Sequence, residues 1–502
     1  MNLHNPLAEL VEGRVSTSSA SGVLLPGFTG TTLPDWVADR LRGGLAGVCL
    51  FGDNVESLPQ LKNLTAAILE ANPHAVIAID EEGGDVTRLF YDVGSPYPGN
   101  AILGRMDDLA YTTAVAVDVG QQLRQAGCTM TFAPDVDVNS NPDNPVIGVR
   151  SFGAAPELVA RHSAAWVRGL QSTGIAVSAK HFPGHGDTAQ DSHLALPVVD
   201  VPLETLMARE LQPFRAVIAA DAASIMTSHI LLPQLDPDFP ATLSSRILQG
   251  VLRDELGYEG VIVSDALDMA GASAVTGIPE AAVRAIAAGC DLLCIGTDNS
   301  DAQLAEIEEA ISAAVAEGRL DEDRLADASA RTRALAVEFA SRRAAIWLAD
   351  VPTPSFDRDR TASAFDVKPT ITVTSDRHQV VLETVANLAV GVAPWASWAD
   401  RRIGRETPLG PVPDGGQLVL IGRDNHRHAW VRALIDQARR EHPGVIVVDM
   451  GWPGDDRAYA DIATFGASAH VGEALLGWLD ETATGVTTGS TMGNSSESGA
   501  GQ

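Results

Sequence analysis

Short apolar runs alternate with amphipathic patterns along the first 312 residues of the chain. Eight of the runs are almost entirely apolar, which is typical of strands buried on both faces. They are Gly22–Leu25, Gly47–Phe51, Ala75–Ile79, Cys128–Phe132, Ala176–Ser178, Ala223–Met226, Gly260–Val263 and Asp291–Ile295. Because most runs are followed by apolar residues at helical spacing, the pattern predicts an α/β fold, a closed (β/α)8 barrel of the TIM type.

Glycine positions agree with this alternation of helices and strands. A glycine comes just before four of the predicted strands, where a helix has to end and turn: Gly127, Gly174, Gly257 and Gly289. The alternative, a doubly wound open sheet, would more often show a glycine-rich phosphate fingerprint after its first strand. The first strand runs instead into Pro26–Gly30, PGFTG, which does not match that fingerprint.

A smaller α/β domain is predicted after the barrel. A helical pattern runs from Asp321 to about Ile346, and the stretch Val351–Phe356, with its two prolines, then indicates a linker. The later strand-like and helix-like runs are Thr370–Val373, Gln417–Ile421, Val445–Val448, Arg432–Arg440 and Val471–Leu479. We therefore predict a barrel with its trailing helix at 1–348, a linker at 349–360, a smaller α/β domain at 361–481 and a disordered Gly/Ser/Thr-rich tail at 482–502.

Composition narrows the range of partners. The 502 residues are 45% hydrophobic and carry a net charge of −30, which argues against nucleic acid or an anionic membrane surface as partner. The sequence has no run of eighteen apolar residues, so we expect no membrane span. Its first fifteen residues lack an apolar core of signal-peptide length. We interpret the cysteines, which lie in or beside predicted strands, as reduced core residues and expect a cytoplasmic protein. They are Cys49, Cys128, Cys290 and Cys294.

Polar and ionisable groups follow five consecutive predicted strands, at the ends where a (β/α)8 barrel carries its active site. The densest stretch is KHFPGHGDTAQDSH, from Lys180 to His193, in which proline and glycine exclude a helix. The other groups are Asp80, Glu81, Glu82, Arg88, Asp135, Asp137, Asn144, Arg150, Ser228, His229, Ser264 and Asp265. Carboxylates and a histidine at one rim indicate glycoside or ester chemistry.

Each candidate residue also has a structural interpretation. Asp265 directly ends an apolar strand, where a reactive carboxylate would be held rigidly, but the same position suits a helix cap. Asp191 can orient the His193 imidazole and raise its pKa, which would make it a proton donor, unless both are solvated loop residues. Lys180 and His181 alternate at a strand end, so both face the barrel axis only if the backbone twists there; otherwise one of them is a buried ion-pair partner.

A metal-dependent hydrolase is a competing hypothesis. Zinc would find a ligand set in His181, His185, Asp187 and His193. No two of them stand at i, i+4 spacing on a helix, and the first strand lacks paired histidines. We therefore expect a small-molecule substrate and neither a metal nor a cofactor. The sequence carries no signal for an oligomeric state.

The chain resembles glycoside hydrolase family 3, and within it the bacterial β-N-acetylglucosaminidase branch. The segments that carry the resemblance are IDEEGGDVTR from Ile79, NPVIGVRSFG from Asn144, KHFPGHGDTAQDSH from Lys180 and VSDALDMAG from Val263. They span most of the first 350 residues in the family's order. One position departs from the pattern, because Glu81 stands where the family usually has glutamine.

The resemblance implies a role for each matching residue. It implies that Asp265 is the nucleophile that forms a covalent glycosyl-enzyme, and that His193 is the general acid/base with Asp191 as its partner. The residues that would grip the terminal sugar are Asp80, Arg88, Arg150, Lys180 and His181. Other branches take the acid/base from a glutamate of the second domain, so the Asp–His pair favours the N-acetylglucosaminidase branch.

The implied reaction is retaining hydrolysis of terminal, non-reducing β-linked N-acetylglucosamine. The resemblance also implies cell-wall muropeptides as substrates and a role in peptidoglycan recycling. Phosphorolysis by the same residues is an alternative, because a neutral imidazole does not repel an incoming phosphate dianion as a carboxylate base would. A non-catalytic sugar-binding protein is a further alternative, although the chain retains all three residues implied in catalysis.

Overall fold

The computed structural model describes residues 20–188, 196–346, 354–384, 389–390, 398–411 and 416–485. Its first sheet has eight parallel strands: β1 (Leu24–Pro26), β2 (Gly47–Leu50), β3 (Val76–Ile79), β4 (Met130–Thr131), β5 (Ala176–Phe182), β6 (Ser224–Thr227), β7 (Val261–Ser264) and β8 (Leu292–Gly296). The strand order is β1-β8-β7-β6-β5-β4-β3-β2, and the outer strands meet where Ala46 N–H donates to Ser21 O at 3.1 Å. The sheet thus curls into a nearly closed barrel, which confirms the predicted (β/α)8 fold.

Alternate residues of the barrel strands belong to two different cores. Cys49, Ala78 and Val263 lie in the cluster that fills the barrel interior. Val48 and Ile77 pack instead in the layer between the strands and the surrounding helices. Since both faces are buried, the strands read in the sequence as unbroken apolar runs rather than as alternating patterns.

Helices alternate with these strands and cover the barrel. The α-helices of this part of the chain are Asp35–Arg42, Leu58–Ala71, Asn100–Met106, Leu109–Ala126, Pro156–Gln171, Leu203–Thr205, Leu211–Ile218, Ala270–Ser273, Ile278–Ala288, Asp301–Ala316 and Glu322–Ala345, and Leu206–Glu210 and Arg246–Glu255 have π geometry. Gly127 ends one helix with φ 82°, a conformation that glycine adopts without strain. In the described parts of the chain, no helix has both the length and the apolar character that a membrane crossing needs.

The second sheet comes after the barrel. Its strands are β9 (Asp366–Val367), β10 (Arg377–Leu382), β11 (Arg401–Ile403), β12 (Gln417–Gly422), β13 (Ile446–Asp449) and β14 (Ile462–Ala463), in the order β11-β10-β12-β13-β14-β9. All pairs are parallel except β14 with β9. The helices here are Arg358–Ser363, Ala429–Glu441 and Ala469–Thr484. The smaller α/β domain is therefore confirmed, and we call its described residues from 358 to 485 the second domain.

Two predictions for the second domain differ from the structure. The predicted strand Thr370–Val373 is wrong, because this stretch lies in a loop after Pro369, where the side chain of Gln417 donates to Thr372 O. The last helix continues through Thr484, past the predicted start of the tail at 482. Gly485 ends it with φ 72°.

The two domains share an apolar core. Ala101 and Ile102, from the barrel helix Asn100–Met106, are buried in one cluster with residues of the second domain. That cluster includes Val471 and Leu475 of the last helix. The barrel and the second domain are therefore packed against each other through apolar side chains, beside one edge of the barrel rim.

Asp291 fixes the opposite end of the barrel, where it precedes β8. Its carboxylate is fully buried and accepts hydrogen bonds from Arg253 Nη2 (2.7 Å), Ile262 N–H (2.9 Å) and Arg324. Its own backbone oxygen accepts from Thr332 on the helix Glu322–Ala345. The carboxylate thus ties β7, β8 and the trailing helix together at the end of the barrel that serves stability rather than chemistry.

We expect Asp291→Asn to lower the free energy of unfolding by about 3 kcal/mol, because it leaves two half-buried guanidinium groups without their shared counter-charge. The kcat of the folded variant should match the wild type. Urea unfolding and a turnover assay measure the two quantities. The control is Glu280→Gln, which removes a partly exposed ion pair with Arg284 and should cost less than about 1 kcal/mol. Equal losses in both variants would contradict this account.

Candidate active site

A cavity opens at the carboxyl ends of the barrel strands. Its volume is about 390 Å³, within the range of pockets that hold a small ligand. Residues in the last part of β5 and in the segments after β3, β4, β5, β7 and β8 supply its polar walls. The polar side chains in the lining are Asp80, Glu82, Arg88, Arg150, Lys180, His181, His185, Asp265, Asp268 and Thr297.

The cavity brings together six of the eight site residues predicted from the sequence. These six are Asp80, Arg88, Arg150, Lys180, His181 and Asp265. The other two, Asp191 and His193, lie outside the described residues. Ser228 and His229, which follow β6, and Ser264, the last residue of β7, are buried and do not line the cavity.

Glu82 is the centre of a buried charge network in the cavity wall. Its carboxylate accepts two hydrogen bonds from Arg150, at 2.8 and 3.0 Å, and lies 2.8 Å from Lys180 Nζ. Lys180 in turn donates to Asp80 at 2.7 Å. Burial alone would raise the pKa of Glu82, but the two cations outweigh it and lower the pKa to about 2. The sequence offered no signal to prefer Glu82 over its neighbour Glu81.

Asp137 holds His181 in place. The imidazole Nδ1–H donates to Asp137 Oδ2 at 2.7 Å, and the other carboxylate oxygen accepts from the backbone N–H of His185 at 2.7 Å. Although burial opposes the charge, His181 and His185 keep the pKa of Asp137 below its usual value. Because Nδ1–H is engaged with a carboxylate, the ring orientation of His181 is fixed relative to the cavity. The sequence placed Asp137 at this rim but gave it no partner.

Lys180 and His181 both line the cavity, which alternation along a regular strand does not permit. The register of β5 against β6 shifts between Ala179 and Phe182, so the backbone is irregular where the two side chains leave it. Beside them, Lys180 N–H donates to Pro134 O, and Val136 N–H donates to Lys180 O at 2.7 Å. The twist that the sequence required for both residues to face the site is therefore present.

Asn144 connects two loops at the edge of the cavity, its own loop after β4 and the loop after β5. Its amide nitrogen donates to His185 O at 2.8 Å and to Thr188 Oγ1 at 3.2 Å, while its amide oxygen accepts from two backbone N–H groups of its own loop. His185 also bonds Thr188 through Nδ1 at 2.8 Å. Burial, followed by the nearby His181, lowers the pKa of His185 to about 4. His185 is thus a neutral hydrogen-bonding residue that also forms part of the cavity lining.

Asp265 follows β7 directly and is half-buried in the cavity wall. Its backbone N–H donates to Thr227 Oγ1 at 3.3 Å, and its Oδ1 accepts from the N–H of Ala266 at 2.8 Å. Asp265 does not cap a helix, although it accepts this bond from the next residue, because the next helix begins five residues later, at Ala270. The carboxylate is therefore held at a strand end and available to the cavity.

Two thiols lie on the apolar floor of the cavity. Cys49 and Cys294 are buried free thiols, with Phe132 and Met226 beside them in the lining. Burial and the contact with Cys294 raise the pKa of Cys49 well above its usual value. The sequence reading of reduced core cysteines fits their chemistry but missed that this pair borders the site.

Of the residues proposed as zinc ligands, the structure describes His181, His185 and Asp187. Asp187 pairs with Arg209 at 2.6 Å, and among the described residues neither Asp187 nor His185 belongs to a cluster of three potential metal ligands. Asp135, Asp137 and His181 do place ligand atoms within 4.8 Å of one another. However, Arg150 lies 3.6 Å from Asp135 and 3.4 Å from His181 Nε2, so a guanidinium already supplies positive charge to this cluster. We assign no ion to it.

Known proteins resemble the chain in sequence and in fold. Residues 30–335 match the glycosyl hydrolase family 3 N-terminal domain. The chain belongs to glycosyl hydrolase family 3. It is 36% identical over 348 residues to the β-hexosaminidase A of Pseudoalteromonas piscicida, a match covering 64% of this chain and 58% of that protein, so this chain spans less than two thirds of that relative.

Two further family 3 proteins extend the comparison. The β-hexosaminidase of Stenotrophomonas maltophilia is 37% identical over 284 residues, which cover 54% of this chain and 83% of that protein. A family 3 β-N-acetylglucosaminidase from Paenibacillus sp. str. FPU-7 has a similar structure, with a TM-score of 0.83 at 31% identity. The likeness covers 94% of this chain and 97% of the Paenibacillus chain, and so includes the second domain.

Glu81, where the chain departs from the family pattern, does not line the cavity. Its Oε2 accepts from Thr87 Oγ1 at 2.7 Å and from the N–H groups of Arg88 and Leu89, both at 3.1 Å. Its Oε1 is buried and has no hydrogen-bond partner among the described residues. Burial raises the pKa of Glu81 to about 7 despite these donors. The hydrogen bonds of Glu81 therefore hold the loop that carries Arg88. The charge on Glu81 changes with pH near neutrality.

We expect Glu81→Gln to stabilise the protein at about pH 8 and to have little effect at about pH 5. The pKa of this carboxyl rises from 4.5 to about 7 on folding. The free energy of unfolding therefore falls as pH increases between these two values, and above about pH 7 the total loss is on the order of 3 kcal/mol. Glutamine retains an acceptor for the same donors without this dependence. Thermal unfolding at both pH values, with exposed Glu306→Gln as control, measures the effect. A variant that is destabilised more at pH 8 than at pH 5 would contradict it.

Proposed function

We propose that this protein is an exo-acting, retaining β-N-acetylglucosaminidase that hydrolyses terminal, non-reducing β-linked N-acetylglucosamine. The observation that carries the proposal is the cavity itself, where a strand-end carboxylate, Asp265, shares one small pocket with paired cations and carboxylates. A pocket of about 390 Å³ suits one terminal sugar better than an extended chain. The substrate class is supported by the three family 3 relatives, two of which are named β-hexosaminidases and one a β-N-acetylglucosaminidase.

In the proposed reaction, Asp265 attacks the anomeric carbon while His193 protonates the departing glycosidic oxygen. This step forms an ester between the sugar and Asp265 and releases the aglycone. The imidazole of His193, now neutral, then takes a proton from a water molecule, whose oxygen displaces Asp265. Two inversions at the same carbon give net retention. Asp191 orients His193 and stabilises its protonated form.

The remaining predicted residues grip the terminal sugar. Lys180 and Arg150 are already neutralised by carboxylates, so their remaining N–H groups can donate to hydroxyl or amide oxygens without an uncompensated buried charge. Asp80 is the acceptor best suited to sugar hydroxyls, because one-fifth of its side chain is exposed at the cavity. The ring of His181, fixed by Asp137, contributes a directed polar edge.

We further propose that the substrates are muropeptide fragments of the cell wall and that the protein works in the cytoplasm during peptidoglycan recycling. Four buried cysteines that carry free thiols suit a reducing compartment. The resemblance to the bacterial branch of the family supports the choice of substrate. The strong negative charge, −30 over the chain, disfavours stable contact with anionic polymers or membranes.

Product analysis with p-nitrophenyl β-N-acetylglucosaminide tests the proposal. We expect free N-acetylglucosamine at a rate that added phosphate does not change, because water is the acceptor. Asp265→Ala should reduce turnover by about 10³-fold or more, whereas the exposed control Asp254→Ala should not. Sugar 1-phosphate made faster with added phosphate would convert the assignment to a phosphorylase. Absence of any turnover would favour a sugar-binding protein.

The acid role of His193 makes a separate prediction. His193→Ala should lower kcat/KM by about 10²–10⁴-fold with substrates whose leaving group needs protonation. Nitrophenyl substrates should lose much less, because a nitrophenolate departs without a proton. The slope of log kcat/KM against leaving-group pKa, measured for wild type and variant, gives the comparison. Equal losses along the series would remove His193 from the acid role.

A further inference from the structure

The Asp80–Arg88 segment, which follows β3, supplies three charged residues of the cavity wall and has no helix or strand of its own. Asp80, Glu82 and Arg88 line the cavity. Because no helix or strand fixes the backbone here, the positions of these side chains depend on the side-chain contacts that hold the loop. Glu81 holds it from inside through its bonds to Thr87, Arg88 and Leu89.

Asp85 holds the same segment from outside, and its partners all belong to the second domain. Its Oδ2 lies 2.9 Å from Arg423 Nη2, and its Oδ1 accepts from the N–H of Ala467 at 2.7 Å. The two charged side chains are only 3% and 8% exposed. Such a pair is hard to open, because either partner alone would leave a buried charge uncompensated.

Other contacts join the second domain to this part of the barrel. Arg88 Nη2 donates to Ala389 O at 2.7 Å. Further along the chain, Ser468 Oγ donates to Tyr97 O at 2.6 Å. The second domain therefore contacts the loop after β3 at more than Asp85. Arg88, a predicted sugar-binding residue, donates a hydrogen bond directly to the second domain.

We infer that Arg423 is a positioning residue for the sugar-binding site, through which the second domain fixes the Asp80–Arg88 segment. Asp85 is three residues from Glu82 and three from Arg88, so a shift at Asp85 moves both of these wall residues. Arg423 itself does not line the cavity and acts only through Asp85. This inference rests on the proposed function for the choice of ligand, N-acetylglucosamine, and assigns the second domain a part in binding it.

Substitution of Arg423 tests the inference. We expect Arg423→Ala to weaken the binding of N-acetylglucosamine, measured by calorimetry, by about tenfold and to raise KM for p-nitrophenyl β-N-acetylglucosaminide similarly. The kcat should stay within about threefold, because Asp265 lies on another strand. Arg423→Lys should restore most of the affinity, since it returns a cation to Asp85. The control Arg360→Ala removes a different ion pair of the second domain with the barrel, at Asp108, and should change neither quantity.

Further variants separate positioning from stability. In Asp85→Asn/Arg423→Gln no buried charge is left without a counter-charge, so this pair should fold even if Arg423→Ala does not, and we expect it still to bind the sugar at least about threefold more weakly. Unchanged affinity in a folded Arg423 variant, or an equal loss in Arg360→Ala, would overturn the inference. A wild-type protein that binds the sugar without turning it over would refute the proposed function and leave the binding test of Arg423 intact.

Discussion

The site depends on the pairing of buried charge around Glu82. A lysine and an arginine could not remain charged in the wall of a pocket without compensation, and Glu82 compensates both. Burial disfavours the charge on Lys180, but Asp80 and Glu82 outweigh it and raise its pKa. Since these side chains come from the ends of β3, β4 and β5, the same contacts that allow the charges to exist also fix the relative positions of three loops.

Two adjacent carboxyls show how far environment outweighs sequence. Glu81 and Glu82 are both buried, yet the pKa of one is raised to about 7 and that of the other is lowered to about 2. Burial dominates at Glu81, whose hydrogen-bond donors are a hydroxyl and two backbone N–H groups, whereas Glu82 meets two cations. Glu81 bonds its own loop, whereas Glu82 lines the cavity. The first therefore serves the shape of the site, and the second serves its charge.

The sequence predicted the barrel and the composition of its rim because strand polarity alone determines which residues gather at one end. Asp80, Arg150 and Asp265 follow directly from that rule. The sequence could not reveal the partners of Glu82 or Asp137, because these partners come from segments that are distant along the chain. The predicted strand at Thr370–Val373 was wrong for a local reason, since its apolar and β-branched residues follow a proline and pair with no strand that the structure describes. The part played by the second domain rests on single contacts, such as Asp85 with Arg423, that no motif marks.

The shared apolar core has a consequence for how such proteins evolve. Ala101 and Ile102 of the barrel are covered by the second domain and belong to its core as much as to the barrel. Deleting the second domain would therefore uncover an apolar face beside the mouth of the pocket, a surface prone to aggregation. A lineage that gains or loses this module must change the residues of that helix together with it. The two domains of this chain are therefore not fully independent folding units, because part of their apolar core is shared.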